Sequence, residues 1–127
     1  MTNKYGQAAL LAAQSSGNPV DRWLTATATI FPKSPSSQVK GCPKGAFLGL
    51  CEEGHVKGIE PGTYTTSKDN KRYALHGLAL LQDGHPSDNS RALWNSVMNG
   101  RKKAHNSQTD VLLALWNVGL RNKHKLS

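Results

Sequence analysis

The chain has 127 residues, with 16 Lys and Arg against 8 Asp and Glu, for a formal net charge of +8. That length suits one domain with a real hydrophobic core, and no apolar run approaches the roughly 20 residues of a membrane-spanning helix. Hydrophobic residues are 37% and aromatic ones 6% of the chain, so the core must lean on Leu, Ala and Trp.

In chain order, Ala8–Ala13 has the length of a signal-peptide apolar region. It carries one preceding Lys and no small-residue cleavage pattern, and so reads as the first helix. Asn18-Pro19-Val20-Asp21 combines a capping Asn, a Pro at the first helical position and an acid in the first turn. Val20, Trp23, Leu24, Thr27, Ile30 and Phe31 then recur at helical spacing until Pro32. Ser34-Pro35 repeats the start signal for a short helix to about Lys40.

Pro43 is expected to begin a helix holding Phe47, Leu50 and Cys51 on one face, with Gly54 suited to its C-terminal cap. Residues 54–66 read as a long loop with a Pro61-Gly62 turn, and loops of that length are often functional. Ser67 can cap a helix lined by Ala74, Leu78 and Leu81 up to Asp83-Gly84. Pro86-Ser87 is expected to open the next, with Leu93, Trp94, Val97 and Met98 inward until Gly100. Ser107-Gln108-Thr109-Asp110 has capping-box form, followed by Leu112, Leu115, Trp116 and Gly119 on one stripe. Ala-Leu-Trp-Asn occurs at 92–95 and again at 114–117, two helices whose tryptophans are expected in the same core. With strand signals nearly absent, the reading is a compact all-α single domain over 1–127. It has about six helices, one long loop (about 54–66) and a basic C-terminal tail (about 121–127).

Both cysteines fall in Gly41–Gly54. On one helix Cys42 and Cys51 are about 13 Å apart along the axis, whereas bridged Cα atoms lie under about 7 Å apart, so they should not pair. A reducing, cytoplasmic setting follows. Cys42 sits at a helix start, where free amides and the helix dipole, with Lys40 and Lys44 nearby, favour a thiolate. No histidine is at a recognisable spacing to act as its base, so Cys42 is a weak catalytic candidate beside a structural reading. Cys42, Cys51 and His55 lack a fourth ligand for structural zinc; no metal and no cofactor is expected. Gly41, Gly45 and Gly49 form a smooth stripe that lets another element approach closely. The helix start beside Lys44 could also face an anion.

The charge is uneven. Residues 1–39 carry three cations and one anion, 40–83 six and five, and 84–127 seven and two. The last third therefore holds +5 of the excess. Thr66 and Ser67, followed by Lys68, Lys71 and Arg72, place hydroxyls, free amides and cations at one helix start, a pattern suited to phosphate. Arg101, Lys102 and Lys103 form a second cluster, and such clusters attract polyanions by counterion release. The connector of residues 99–106 is too long for a helix-turn-helix reader. Tyr64 and Tyr73 could stack on unpaired bases.

The run Lys40–Gly54, reading K-G-C-P-K-G-A-F-L-G-L-C-E-E-G, stands with Val56-Lys57-Gly58-Ile59, Tyr64-Thr65, His105-Asn106-Ser107-Gln108 and Val111–Trp116. Together they resemble a family of small uncharacterised bacterial proteins, over about residues 4–120. The resemblance implies a bacterial cytoplasmic single domain and brings no catalytic residue with it. The expectation is a binding protein rather than an enzyme. Its leading partner is DNA, RNA or another polyanion, contacted through Lys44, Thr66, Ser67, Lys68, Lys71, Arg72, Arg101, Lys102 and Lys103. A protein-interaction module using loop 54–66 and the Gly41/Gly45/Gly49 face is the first alternative, and a Cys42-dependent enzyme or redox switch the second.

Overall fold

The computed structural model describes residues 2–122, and most of its helices start where a side chain can cap them. Asn3 caps α1 (Lys4–Ala13) by accepting from the Gly6 amide. Asn18 caps α2 (Pro19–Ile30) through the Val20 amide, with Pro19 in the first turn. Ser34 caps a single turn, α3 (Pro35–Gln38). α4 (Gly41–Glu52), α5 (Lys68–Gln82), α6 (Ser90–Met98) and α7 (Gln108–Val118) follow. The described residues thus form an all-α single domain of six helices with nine residues or more, plus one short turn. Their one β-type pairing is an isolated antiparallel bridge between Val56 and Arg121. No described helix is long and apolar enough to cross a membrane.

Several starts differ from expectation. α4 begins at Gly41, so Pro43 lies inside the first turn, where its missing N–H would have no helical partner anyway. α6 begins at Ser90 rather than at Pro86-Ser87, because the Asn89 side chain accepts from the Ala92 amide. Ser67 and Ser107 occupy N-cap positions without side-chain caps. Ser67 Oγ instead accepts from Asn70 Nδ2 at 2.8 Å, and Ser107 Oγ from Asn3 Nδ2 at 3.2 Å. The capping box expected at Ser107 is therefore not formed. The C-terminus of α4 closes as expected. Gly54 takes a φ of +75°, which lets the Gly54 amide donate to Cys51 O at 3.1 Å and the His55 amide to Leu50 O at 3.0 Å.

α4 is the enclosed helix. Pro43 and every residue from Gly45 to Glu52 are buried, against α5, α7 and α2. A helix covered on several sides needs small residues where its neighbours cross. A Cβ on Gly49 would stand 2.5 Å from Lys71 Cβ and 2.7 Å from Lys71 Cα. One on Gly45 would stand 2.9 Å from the Cβ atoms of Ser67 and Asn70. Gly41 has nothing within 4 Å. The glycine face proposed as a docking surface is therefore filled, at Gly45 and Gly49, by α5 of the same chain.

The tryptophans divide. Trp23 stacks on Phe47 with centroids 5.2 Å apart in the main core. Trp94 belongs to a second, smaller cluster with Tyr73, Val97 and Met98. Trp116 is half-buried, and the Arg121 guanidinium lies 3.8 Å from its ring centroid. The tryptophans of the two Ala-Leu-Trp-Asn copies thus do not share one core, although Leu93 and Leu115 both lie in the main one.

The segment 54–66 is less open than its composition suggests. Val56 and Ile59 are in the core, and the chain beyond α7 straps the segment down. The Lys57 amide donates to Leu120 O at 3.1 Å, and the Asn122 amide to His55 O at 3.0 Å. Arg121, expected in a basic tail, is part of this strap; residues 123–127 of that tail lie outside the described residues.

Candidate functional site

Three clefts draw on the charged and polar residues. The first lies at the end of α6 and the connector after it. α6 stops because Asn99 and Gly100 adopt left-handed conformations, with φ of 48° and 89°. The Arg101 side chain then turns back, Nε donating to Met98 O and Nη2 to Val97 O, each at 3.0 Å. It thereby neutralises the carbonyl end of α6, which would otherwise repel an anion. Farther along, Trp94 Nε1 donates to Lys103 O at 3.1 Å, and the fully buried Gln108 accepts from the Asn106 amide at 2.8 Å. The connector is held at both ends.

The resulting groove has a volume of about 410 Å³ and is lined by Arg91, Arg101, Lys102, Lys103 and His105, with Trp94 and Met98 beneath. No lining residue is acidic. All four Arg and Lys side chains are exposed, and among the described residues none is in an ion pair. Tyr73 joins the α5 cluster to this groove. Its ring meets Trp94 edge-on at 5.3 Å, with Lys103 Nζ 5.6 Å and Arg72 Cζ 5.9 Å from its centroid. Arg72 also pairs with Asp69 at 2.6 Å, but both are exposed, and such pairs contribute at most about 1 kcal/mol.

Sequence-predicted residues therefore separate. Arg101, Lys102 and Lys103 come together, with Arg72 at the rim. Lys71 points elsewhere, its Nζ 2.8 Å from both Glu52 Oε2 and Glu53 Oε2. Lys44 and Thr66 meet in a second cleft of about 350 Å³ with Tyr64 and Thr65, beside Ser67 and the exposed Lys68 at the start of α5. Cys42 is half-buried, and among the described residues no base hydrogen-bonds to it. Cys51 is buried, and its desolvation pushes the thiol up to about 12. Both thiols are free.

A third cleft, also about 410 Å³, is lined by Thr2, Asn3, Ser87, Asp88, Ser90 and Asp110 among others. Its two carboxylates and absence of cations suit no polyanion. Behind it Ser90, His105 and Asp110 approach one another, yet without the geometry of an acyl-transfer triad. Ser90 Oγ at 3.4 Å and Asp110 Oδ2 at 3.5 Å both face His105 Nε2, whereas a triad needs the two on opposite ring nitrogens. Thr109 Oγ1, 2.8 Å from the same nitrogen, completes a part-buried network. Burial holds His105 below its ordinary pKa, aided by Arg91 and Lys40 and opposed by Asp110.

Arg91 escaped the sequence reading because it stands alone rather than in a charge run. The available signal was its spacing, three, four and seven residues before Trp94, Asn95 and Met98, which places all four on one side of a helix.

The fold and groove define a small basic all-α protein with a clustered cationic surface. By sequence the chain belongs to a family of unknown function, DUF6979, whose model matches residues 2–122. Neither the curated proteins nor the solved structures give a match.

Proposed function

We propose that the protein binds nucleic acid or another polyanion along the groove at the end of α6. The reading rests on one observation, the four exposed cations Arg91, Arg101, Lys102 and Lys103 lining one groove without a carboxylate. Crowding like charges on a folded surface is unfavourable by itself, and a polyanion relieves it. Each phosphate neutralised releases condensed counterions, so binding falls with salt. Arg72, carried to the same place by Tyr73, makes a fifth contact on the rim. Lys71 serves the fold in this reading, and Lys44, Thr66, Ser67 and Lys68 form a separate, lesser anion-facing patch. A bacterial cytoplasmic setting accompanies the proposal, supported by two free thiols and by the resemblance noted above.

Fluorescence anisotropy with a labelled single-stranded oligonucleotide, across 50–300 mM salt, tests it. Four to five phosphate contacts give a slope of log K on log salt of about −3. Arg91→Ala and Lys102→Ala should each reduce its magnitude by about 0.7. Lys57→Ala, an exposed lysine outside the groove, serves as the comparison and should leave it within error. Absence of binding at the lowest salt, or equal effects of all three substitutions, would overturn the proposal.

A further inference from the structure

The groove contains rings as well as cations, and the two lead to different ligands. Proteins that grip single strands through bases present exposed aromatic faces on which bases stack. Those that grip only the backbone need cations and no free ring. Here the rings are occupied. Trp94 is 3% exposed, and its indole N–H is already donated to Lys103 O. Tyr73 is 8% exposed, with an edge contact to Trp94 and the Arg72 and Lys103 side chains near its ring.

Elsewhere the pattern is the same. Tyr5 packs on Phe31 at 4.7 Å, Trp116 lies under Arg121, and the Tyr64 hydroxyl donates to Glu60 O at 2.7 Å. All eight aromatic residues of the chain are buried or half-buried, and the burial of Tyr73 counts against its expected use as a stacking platform. In the groove the rings instead position cations from two separate sequence clusters against one another.

From this we infer that the groove recognises a chain of phosphates and is blind to bases, an inference that rests on the polyanion reading above. A phosphodiester backbone and inorganic polyphosphate share that chemistry. Arg91, Lys102 and Lys103 would meet successive phosphates as exposed cations, and Arg101 would meet them with the guanidinium edge not spent on α6. Bases, finding no open ring, would face solvent.

The test compares a deoxythymidine 12-mer, an abasic 12-mer of the same backbone and inorganic polyphosphate of matching charge, using the whole protein. The expected result is thymidine and abasic affinities within about twofold, equal salt slopes, and displacement of both by polyphosphate. Stacking contributes roughly a 5- to 150-fold factor per base, so an abasic strand bound tenfold or more weakly would overturn base-blindness while leaving the polyanion reading intact. Polyphosphate binding with neither oligonucleotide bound would uphold phosphate recognition and overturn nucleic acid as its source. No binding by any probe at 50 mM salt would overturn the polyanion reading, and this inference with it.

Discussion

Lys71 Nζ lies 2.8 Å from Glu52 Oε2, tying the first turns of α5 to the last turn of α4. The other oxygen of the same carboxylate accepts from the amides of Tyr64, at 2.6 Å, and Thr65, at 2.7 Å. One side chain therefore fixes a helix pair and the end of the 54–66 segment together. Burial alone would raise the Glu52 pKa, but the Lys71 ammonium and the two amides outweigh it and hold the carboxyl below its ordinary value.

Removing that carboxylate should be among the costliest single changes outside the apolar core. Glu52 is 9% exposed, so Glu52→Ala leaves the Tyr64 and Thr65 amides without their acceptor and the Lys71 ammonium with Glu53 alone, for about 2–4 kcal/mol. Glu52→Gln keeps an acceptor oxygen and should lose less. Because the folded pKa is the lower one, this stabilisation is present above the unfolded value of about 4.3 and disappears as pH falls through the folded value. Urea midpoints by circular dichroism at pH 7 and pH 3.5 check both statements. Equal midpoints for the alanine variant and the parent at pH 7 would refute the anchoring role.

The glycine stripe predicts opposite outcomes at its two ends. Gly49→Ala drives a Cβ to 2.7 Å from the Lys71 Cα. Backbone cannot swing aside as a side-chain tip can, so a loss of about 2–3 kcal/mol is expected. Gly41→Ala meets nothing within 4 Å and removes backbone freedom from the unfolded chain, so it should be neutral or stabilising by up to about 1 kcal/mol. Thermal melts of the two variants check the contrast; a Gly49→Ala protein as stable as the parent would contradict the close crossing of α4 and α5.

These residues also mark how far the sequence can be read. Helix positions were legible because Asn18 and Gly54 act locally, through amides and carbonyls a few residues away. Close packing at the glycine stripe was legible as geometry, but its partner was not, since Gly49 and Lys71 meet only when α4 and α5 cross. Lys71 looked like a phosphate ligand because nothing local shows that Glu52 and Glu53, 19 and 18 residues earlier, hold it. Arg72 and Lys103 are 31 positions apart, and only the placement of Tyr73 against Trp94 joins them. Charge runs reveal cations and leave their facing undetermined.

The two thiols should differ sharply in reactivity. Cys51 is buried in the main core and its thiol is pushed up to about 12 by desolvation, so at pH 8 it carries almost no thiolate and offers no access. Cys42 is half-buried in the first turn of α4. A chromogenic disulfide reagent should titrate one thiol in the folded protein and two in denaturant, and Cys42→Ser should abolish the first. Rapid reaction of both thiols in the native protein would show that α4 is not enclosed as described.

His105 gives the fold a second, higher pH window. Burial is the main reason its folded pKa lies below the ordinary value of about 6.5, with Asp110 opposing and Arg91 and Lys40 assisting. The unfolded chain then takes up the proton first as pH falls. The stabilisation from a neutral His105 is present above about pH 6.5 and is lost as pH drops through that value toward the folded one. The slope is at most about 1.4 kcal/mol per pH unit for one proton. The Glu52 window lies lower, so the two are separable. Urea midpoints between pH 7.5 and pH 5.5 should decline for the parent and decline less for His105→Asn, which keeps a polar group near Thr109 and cannot titrate. An identical decline in the variant would assign the effect to another histidine and remove His105 from this role.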